Sequence, residues 1–206
     1  MTRIKICGIT RLEDAIKAIE LGVNALGFVL AQSPRKMTPD AVAEIISEIP
    51  PFVNKVGVFV NINRKNATEL AKEIGLDTIQ LHGDDLKEYD LSNLPTIHVY
   101  RVKDEKILES ISKDRLKYFL LDTYQENKTG GTGQSFDWSI ARQAGQYGKV
   151  ILSGGLNEQN IVKALDIARP YGVDVSSGVE SSPGIKDHNK MEKFISEVKN
   201  WDNRIN

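Results

Sequence analysis

Cys7, His82, Asp122 and Ser176 carry acid, base or nucleophile chemistry, and each falls at the C-terminal end of a short β-rich run. Side chains alternate along a strand, so one face of each run is apolar and the other is not. Ile4 and Ile6, Ile79 and Leu81, and Val173 and Val175 form the apolar set. Lys5 and Cys7, Gln80 and His82, and Asp174 and Ser176 then share the opposite face. Fold stability alone would fill an interior with branched apolar residues, because a buried ionisable group costs several kcal/mol unless paired. Their gathering at one end of several strands points to a site. Two glycine-bearing turns extend it. Ser153-Gly154-Gly155 closes the seventh run and Ser176-Ser177-Gly178 the eighth, and glycine lets a backbone approach a ligand closely and offer its N–H groups. Together they suit a phosphorylated small molecule.

Eight runs of this kind occur, at 4–9, 25–30, 55–60, 78–82, 96–102, 118–122, 149–153 and 172–176. Their starts lie about 20 to 30 residues apart, room for one strand, one helix and two short loops, the repeat of βα units in a parallel sheet. Segments 13–21, 40–49, 66–74, 158–168 and 189–201 carry apolar residues at helical spacing, with Asn157 placed as the cap of the fourth. The pattern predicts an α/β fold, a closed (β/α)₈ TIM barrel formed as a single domain over residues 1–206. A doubly wound open sheet is the alternative, and the absence of G-x-G-x-x-G after the first run counts against it. The longest loop spans 123–135, and its Thr129-Gly130-Gly131-Thr132-Gly133 stretch has the small side chains of a mobile lid.

Composition narrows the class. With 27 Lys+Arg against 28 Asp+Glu the net charge is -1, which disfavours nucleic acid as a partner and requires any anionic substrate to be held by local groups. The longest apolar stretch, 25–31, falls far short of the ~20 residues of a membrane span, so no membrane partner is expected. One cysteine excludes an internal disulfide and fits a reducing, cytoplasmic setting. Three histidines, His82, His98 and His188, lack metal-ligand spacing, and no metal site is expected. Lys186 and Asp187 read as loop-anchoring ions, and Trp138 and Trp201 as packing residues.

An ordered set of segments resembles one family, the phosphoribosylanthranilate isomerases of tryptophan biosynthesis. It comprises Lys5-Ile6-Cys7-Gly8-Ile9-Thr10, Ser33-Pro34-Arg35, Gln80-Leu81-His82-Gly83, Leu121-Asp122, Gly130-Gly131-Thr132-Gly133 with Phe136-Asp137-Trp138, Leu152-Ser153-Gly154-Gly155-Leu156, Val173 to Glu180, and Gly184-Ile185-Lys186-Asp187. The resemblance implies an Amadori rearrangement of N-(5-phosphoribosyl)anthranilate to 1-(2-carboxyphenylamino)-1-deoxyribulose 5-phosphate, with no metal or redox cofactor. It implies Asp122 as general acid and Cys7 as general base. For the substrate it implies Arg35 on the anthranilate carboxylate, with His82, Gly154, Gly155, Asp174, Ser176 and Ser177 lining the pocket. The acid must be protonated and the base ionised, so burial beside Leu120 and Leu121 is expected to raise the Asp122 pKa, and the Lys5 ammonium to favour the Cys7 thiolate. A monomer or a homodimer is expected. Two other readings stay open at this stage. One is the related sugar isomerisation of histidine biosynthesis, which would place an aspartate where Cys7 stands. The other is a non-catalytic phosphosugar-binding barrel.

Overall fold

A computed structural model describes residues 1–83, 94–123 and 136–205. The segment 129–133, predicted as a lid, lies outside the described residues. Eight parallel strands close on themselves in sequential order, each hydrogen-bonded to the next and the last to the first. They are β1 (Arg3–Cys7), β2 (Ala25–Val29), β3 (Asn54–Val60), β4 (Thr78–His82), β5 (Thr96–Val102), β6 (Tyr118–Thr123), β7 (Lys149–Leu152) and β8 (Gly172–Val175). The open-sheet alternative is thereby excluded.

The helices among the described residues are α1 (Leu12–Glu20), α2 (Pro39–Ser47), α3 (Arg64–Ile74), α4 (Ile107–Asp114), α5 (Trp138–Ala144), α6 (Ile161–Ala168) and α7 (His188–Ile205). Local chemistry sets their ends. Thr38 accepts the Ala41 N–H ahead of a proline in the first turn of α2, Asn63 caps α3 through Asn66 N–H, and Gly75 ends α3 at φ 87. One boundary differs from expectation. The sequence pattern makes Asn157 the cap of a helix over 158–168, but α6 begins at Ile161. The Asn157 carboxamide instead accepts the Gln159 and Asn160 N–H groups at 2.9 and 3.1 Å, closing a turn before the helix starts.

Alternation divides each strand as read. Ile4, Ile6, Ile79, Leu81 and Val173 join the apolar layer between barrel and helices, while Lys5 and Asp174 meet inside. Lys5 and Asp174 are register partners on β1 and β8, so closure of the barrel alone brings them together. Trp138 and Trp201 are buried as packing residues. A last hairpin, β9 (Glu180–Ser182) with β10 (Ile185–Lys186), follows β8 and leads into α7.

The buried face of α7, Met191, Phe194, Ile195, Val198 and Trp201, follows the helical period and packs on α1 and α6. Asp202 at its end accepts the Thr2 N–H at 2.7 Å and the Thr2 hydroxyl at 2.9 Å, tying the last helix to the start of the first strand. Both bonds are buried and made to a carboxylate. Asp202→Ala is therefore expected to lower the free energy of unfolding by about 2 to 3 kcal/mol, read from the urea midpoint at unchanged slope.

Candidate active site

Strand polarity brings the C-terminal ends of all eight strands to one mouth of the barrel, and a cleft opens there. Cys7, Arg35, His82, Asp122, Gly154, Gly155, Asp174, Ser176 and Ser177, all singled out from sequence, border it together with Gln80, Arg101, Leu120, Thr123, Ser153 and Val58. Cys7 rises from β1 and Asp122 from β6, which are not neighbours in the barrel, so the two groups reach the cleft from different sides.

Cys7 is packed against Val29 and Val58. Gly27 on the adjoining strand makes the room: a Cβ there would lie 2.9 Å from Cys7 Sγ and 3.0 Å from Lys5 Cε. Burial pushes the thiol above its ordinary pKa, against the pull of the Lys5 ammonium. Lys5 does favour the thiolate, as the sequence suggests, but burial outweighs it. Lys5 Nζ lies 2.8 Å from Asp174 Oδ1 in a buried pair, and the Asp174 charge raises the thiol while Lys5 lowers it. Opposed charges so close present little net field to a third group.

Asp122 behaves as its apolar neighbours led us to expect. Burial pushes its carboxyl up to about 6, although the Thr123 N–H donates to Oδ1 at 2.9 Å and favours the ionised form. The nearby Asp174 charge raises it further, and Arg101 opposes. Near neutral pH a useful fraction of Asp122 keeps its proton.

His82 is lowered to about 4, by burial first and then by Arg101 and Lys5, and is neutral. The Gln80 carboxamide lies 2.9 Å from His82 Nε2, and the two side chains share a hydrogen bond there. His82 therefore both lines the cleft and takes part in a buried hydrogen bond.

Arg35 is held more firmly than a solvated loop charge. Its Nε and Nη2 donate to the two Glu180 carboxylate oxygens at 2.8 and 2.7 Å, and this pairing raises the guanidinium pKa. One edge of the fork is occupied, and the Nη1 side remains for a ligand. Gly8 lets the arm pass, since a Cβ there would sit 2.5 Å from Arg35 Cδ.

The two glycine turns are built for close approach. Gly154 and Gly155 have φ of 87 and 70, and a Cβ on Gly154 would collide with Thr123. Their N–H groups carry no hydrogen bond among the described residues. A short 3₁₀ turn, Ser177–Val179, follows β8, and a Cβ on Gly178 would overlap the Leu156 carbonyl oxygen. Loops after β7 and β8 thus meet edge to edge at the rim, leaving donors for an oxyanion.

Two features escaped sequence reading. Arg101 borders the cleft as register neighbour of Asp122. The alternation Ile97, Val99, Arg101 in β5 would have revealed it. The other is Glu180, buried beneath the rim and paired at 2.9 Å with Lys186, which does anchor the loop as its sequence position suggests. Around the cleft Lys5, Arg35, Arg101 and Lys186 face Asp122, Asp174 and Glu180. With Asp122 protonated the site carries a positive excess on a chain of net charge -1.

Comparison with known proteins follows the same lines. Residues 4–197 match the family described as N-(5'phosphoribosyl)anthranilate (PRA) isomerase. The chain is 46% identical over 201 residues to N-(5'-phosphoribosyl)anthranilate isomerase of Geotalea uraniireducens (strain Rf4), covering 97% of this chain and 99% of that one. It is 46% identical over 203 residues to the protein of that name from Geobacter sulfurreducens, covering 98% and 100%. Among solved structures, phosphoribosyl anthranilate isomerase from Thermotoga maritima superposes with a TM-score of 0.90 at 39% identity, over 97% of this chain and 100% of that one. A phosphoribosyl anthranilate isomerase in complex with reduced 1-(o-carboxyphenylamino)-1-deoxyribulose 5-phosphate superposes with a TM-score of 0.86 at 39% identity, over the same shares.

Proposed function

The chain belongs to the N-(5'-phosphoribosyl)anthranilate isomerase family and is an isomerase of tryptophan biosynthesis; from that premise we propose that Asp122 and Cys7 divide its chemistry between them. The observation that carries the reading is a carboxyl raised to about 6 and a lone thiol entering one cleft from separated strands.

The reaction converts an aldosamine into a ketosamine. Protonated Asp122 delivers its proton to the ring oxygen as the C1–O bond breaks, leaving an open-chain protonated Schiff base. That iminium draws electrons from the neighbouring carbon, and the Cys7 thiolate removes the C2 proton. The enolamine takes a proton at C1 and loses one from the C2 hydroxyl, which becomes the ketone. C1 is reduced and C2 oxidised within one molecule, so the stoichiometry calls for no external oxidant or reductant. Acid and base act on different atoms, which is what their entry from different sides supports. The iminium also places a positive charge near a thiol that burial holds neutral, at the moment the thiolate is needed.

For binding, the loops at Gly154, Gly155, Ser176 and Ser177 would take the phosphate, the free edge of Arg35 the anthranilate carboxylate, and His82 and Asp174 the sugar side of the pocket. A catalytic cysteine used in its reduced form supports a cytoplasmic setting. No helix among the described residues is long and apolar enough to cross a membrane.

The test generates the labile substrate in situ and follows the loss of anthranilate-type fluorescence. Turnover in proportion to enzyme is expected, and its absence with correctly folded protein would overturn the reading. For the anion loop, Gly178→Ala is expected to raise KM at least about tenfold, because the methyl group must push the loop off the Leu156 carbonyl. An unchanged KM would remove this turn from phosphate binding.

A further inference from the structure

Lys186, at the end of the β9–β10 hairpin, has a side chain wholly shielded from solvent. Its ammonium donates to the Cys7 carbonyl at 2.6 Å, the Ser176 carbonyl at 3.3 Å and Glu180 Oε1 at 2.9 Å. All three protons are committed, two of them to main-chain oxygens at the tops of neighbouring strands. One of those residues is the proposed base, and the other opens the anion loop. The third partner, Glu180, grips Arg35 at the cleft wall.

The hairpin is fastened from its other side as well. Lys186 N–H donates to Asp14 Oδ2 at 3.1 Å, Asp14 also receives Arg11, and the Thr10 hydroxyl donates to the Gly184 carbonyl. The ammonium therefore cannot follow solvent away from the strand ends.

We propose that Lys186 is a positioning residue for the isomerisation: by holding the Cys7 and Ser176 carbonyls at once, and Arg35 through Glu180, it sets base, anion loop and carboxylate grip in one frame. The inference rests on Cys7 acting as base. Stability alone gives little reason for the arrangement, since a buried ion cluster can often be replaced by packed apolar residues without loss. The charges facing Cys7 add to it. Lys5 on its own strand is matched by Asp174 from β8, whereas Arg35 from the loop after β2 and Lys186 from β10 share the single carboxylate of Glu180. One net positive charge is left beside the thiol, where a thiolate must form.

Cys7 is the only cysteine in the chain, so alkylation by iodoacetamide reads this thiol directly. Lys186→Met leaves Glu180 paired with Arg35 and so creates no naked carboxylate. It is expected to fold, to lower kcat about 10- to 100-fold, and to slow alkylation at pH 8 at least about threefold. Lys186→Gln, which keeps hydrogen-bond donors without charge, is expected to recover part of kcat while alkylation stays slow. A purely structural lysine would do the opposite, because a loosened strand end exposes the thiol and speeds alkylation. Alkylation unchanged or faster, kcat within about twofold of wild type, or failure of both variants to fold would overturn the proposal. Failure of the base assignment is seen separately, as turnover retained by Cys7→Ala.

Discussion

Cys7→Ala is expected to cut kcat by at least about a thousandfold, roughly 4 kcal/mol of transition-state stabilisation, with product affinity nearly unchanged. The magnitude follows from the step that is lost. The C2–H bond breaks only if a positioned base accepts the proton, and among the groups bordering the cleft His82 has lost basicity, lowered to about 4. Asp174 is tied up with Lys5, and Glu180, beneath the rim, with Arg35 and Lys186. Truncation removes only the thiol from a site where Val29 and Val58 keep their places, so the barrel should stay intact. Fluorescence turnover and product titration on the same preparation separate the two effects, and near-normal turnover would take Cys7 out of the mechanism.

Asp122→Asn comes next, with an expected loss of about 10²- to 10⁴-fold in kcat. The amide is nearly isosteric and its carbonyl can still accept the Thr123 N–H, so the strand end keeps its shape. What disappears is a proton that a neutral carboxyl can give to the ring oxygen. A substrate already in the open-chain form would bypass that step, and the loss should then shrink to within about tenfold. If open-chain and closed-ring substrates suffer alike, Asp122 has another task.

Much of this site was readable because the relevant relations are local. Period-2 alternation in β1, β4 and β8 separates Ile4, Ile79 and Val173 from Lys5, Gln80 and Asp174 without any knowledge of the barrel. The run Tyr118-Phe119-Leu120-Leu121 announces that Asp122 will be desolvated. Where a residue acts through distant partners, reading fails. Lys5 does act on Cys7, two residues away, but it also pairs with Asp174, 169 residues on, a partner reached only when the barrel closes. Arg35 and Glu180 stand 145 residues apart, so the occupied edge of the guanidinium left no local trace. Short helices were hard for a different reason. In α4 only Ile111 is buried, and α5 has seven residues, too few to display a period. Asn157 had the right chemistry for a cap but spends it on a turn.

The central claim is that catalysis needs protonated Asp122 and ionised Cys7 together, and the pH dependence of kcat/KM tests it most directly. Burial raises both groups, so the free enzyme mostly holds ionised Asp122 beside neutral Cys7, and the active form is a minority. Below about pH 6 Asp122 is fully protonated while the thiolate fraction grows with pH, so the rate rises. Above pH 6 the loss of acid cancels the gain of base and the rate levels, falling only beyond the thiol pKa. The account predicts an acidic limb that bends near pH 6 in the wild type, whereas the residual activity of Asp122→Asn should go on rising past pH 6 without that bend, because the thiolate fraction still grows there. A bend that persists unchanged in the variant would belong to the substrate phosphate, and the assignment of Asp122 as the acid would be contradicted.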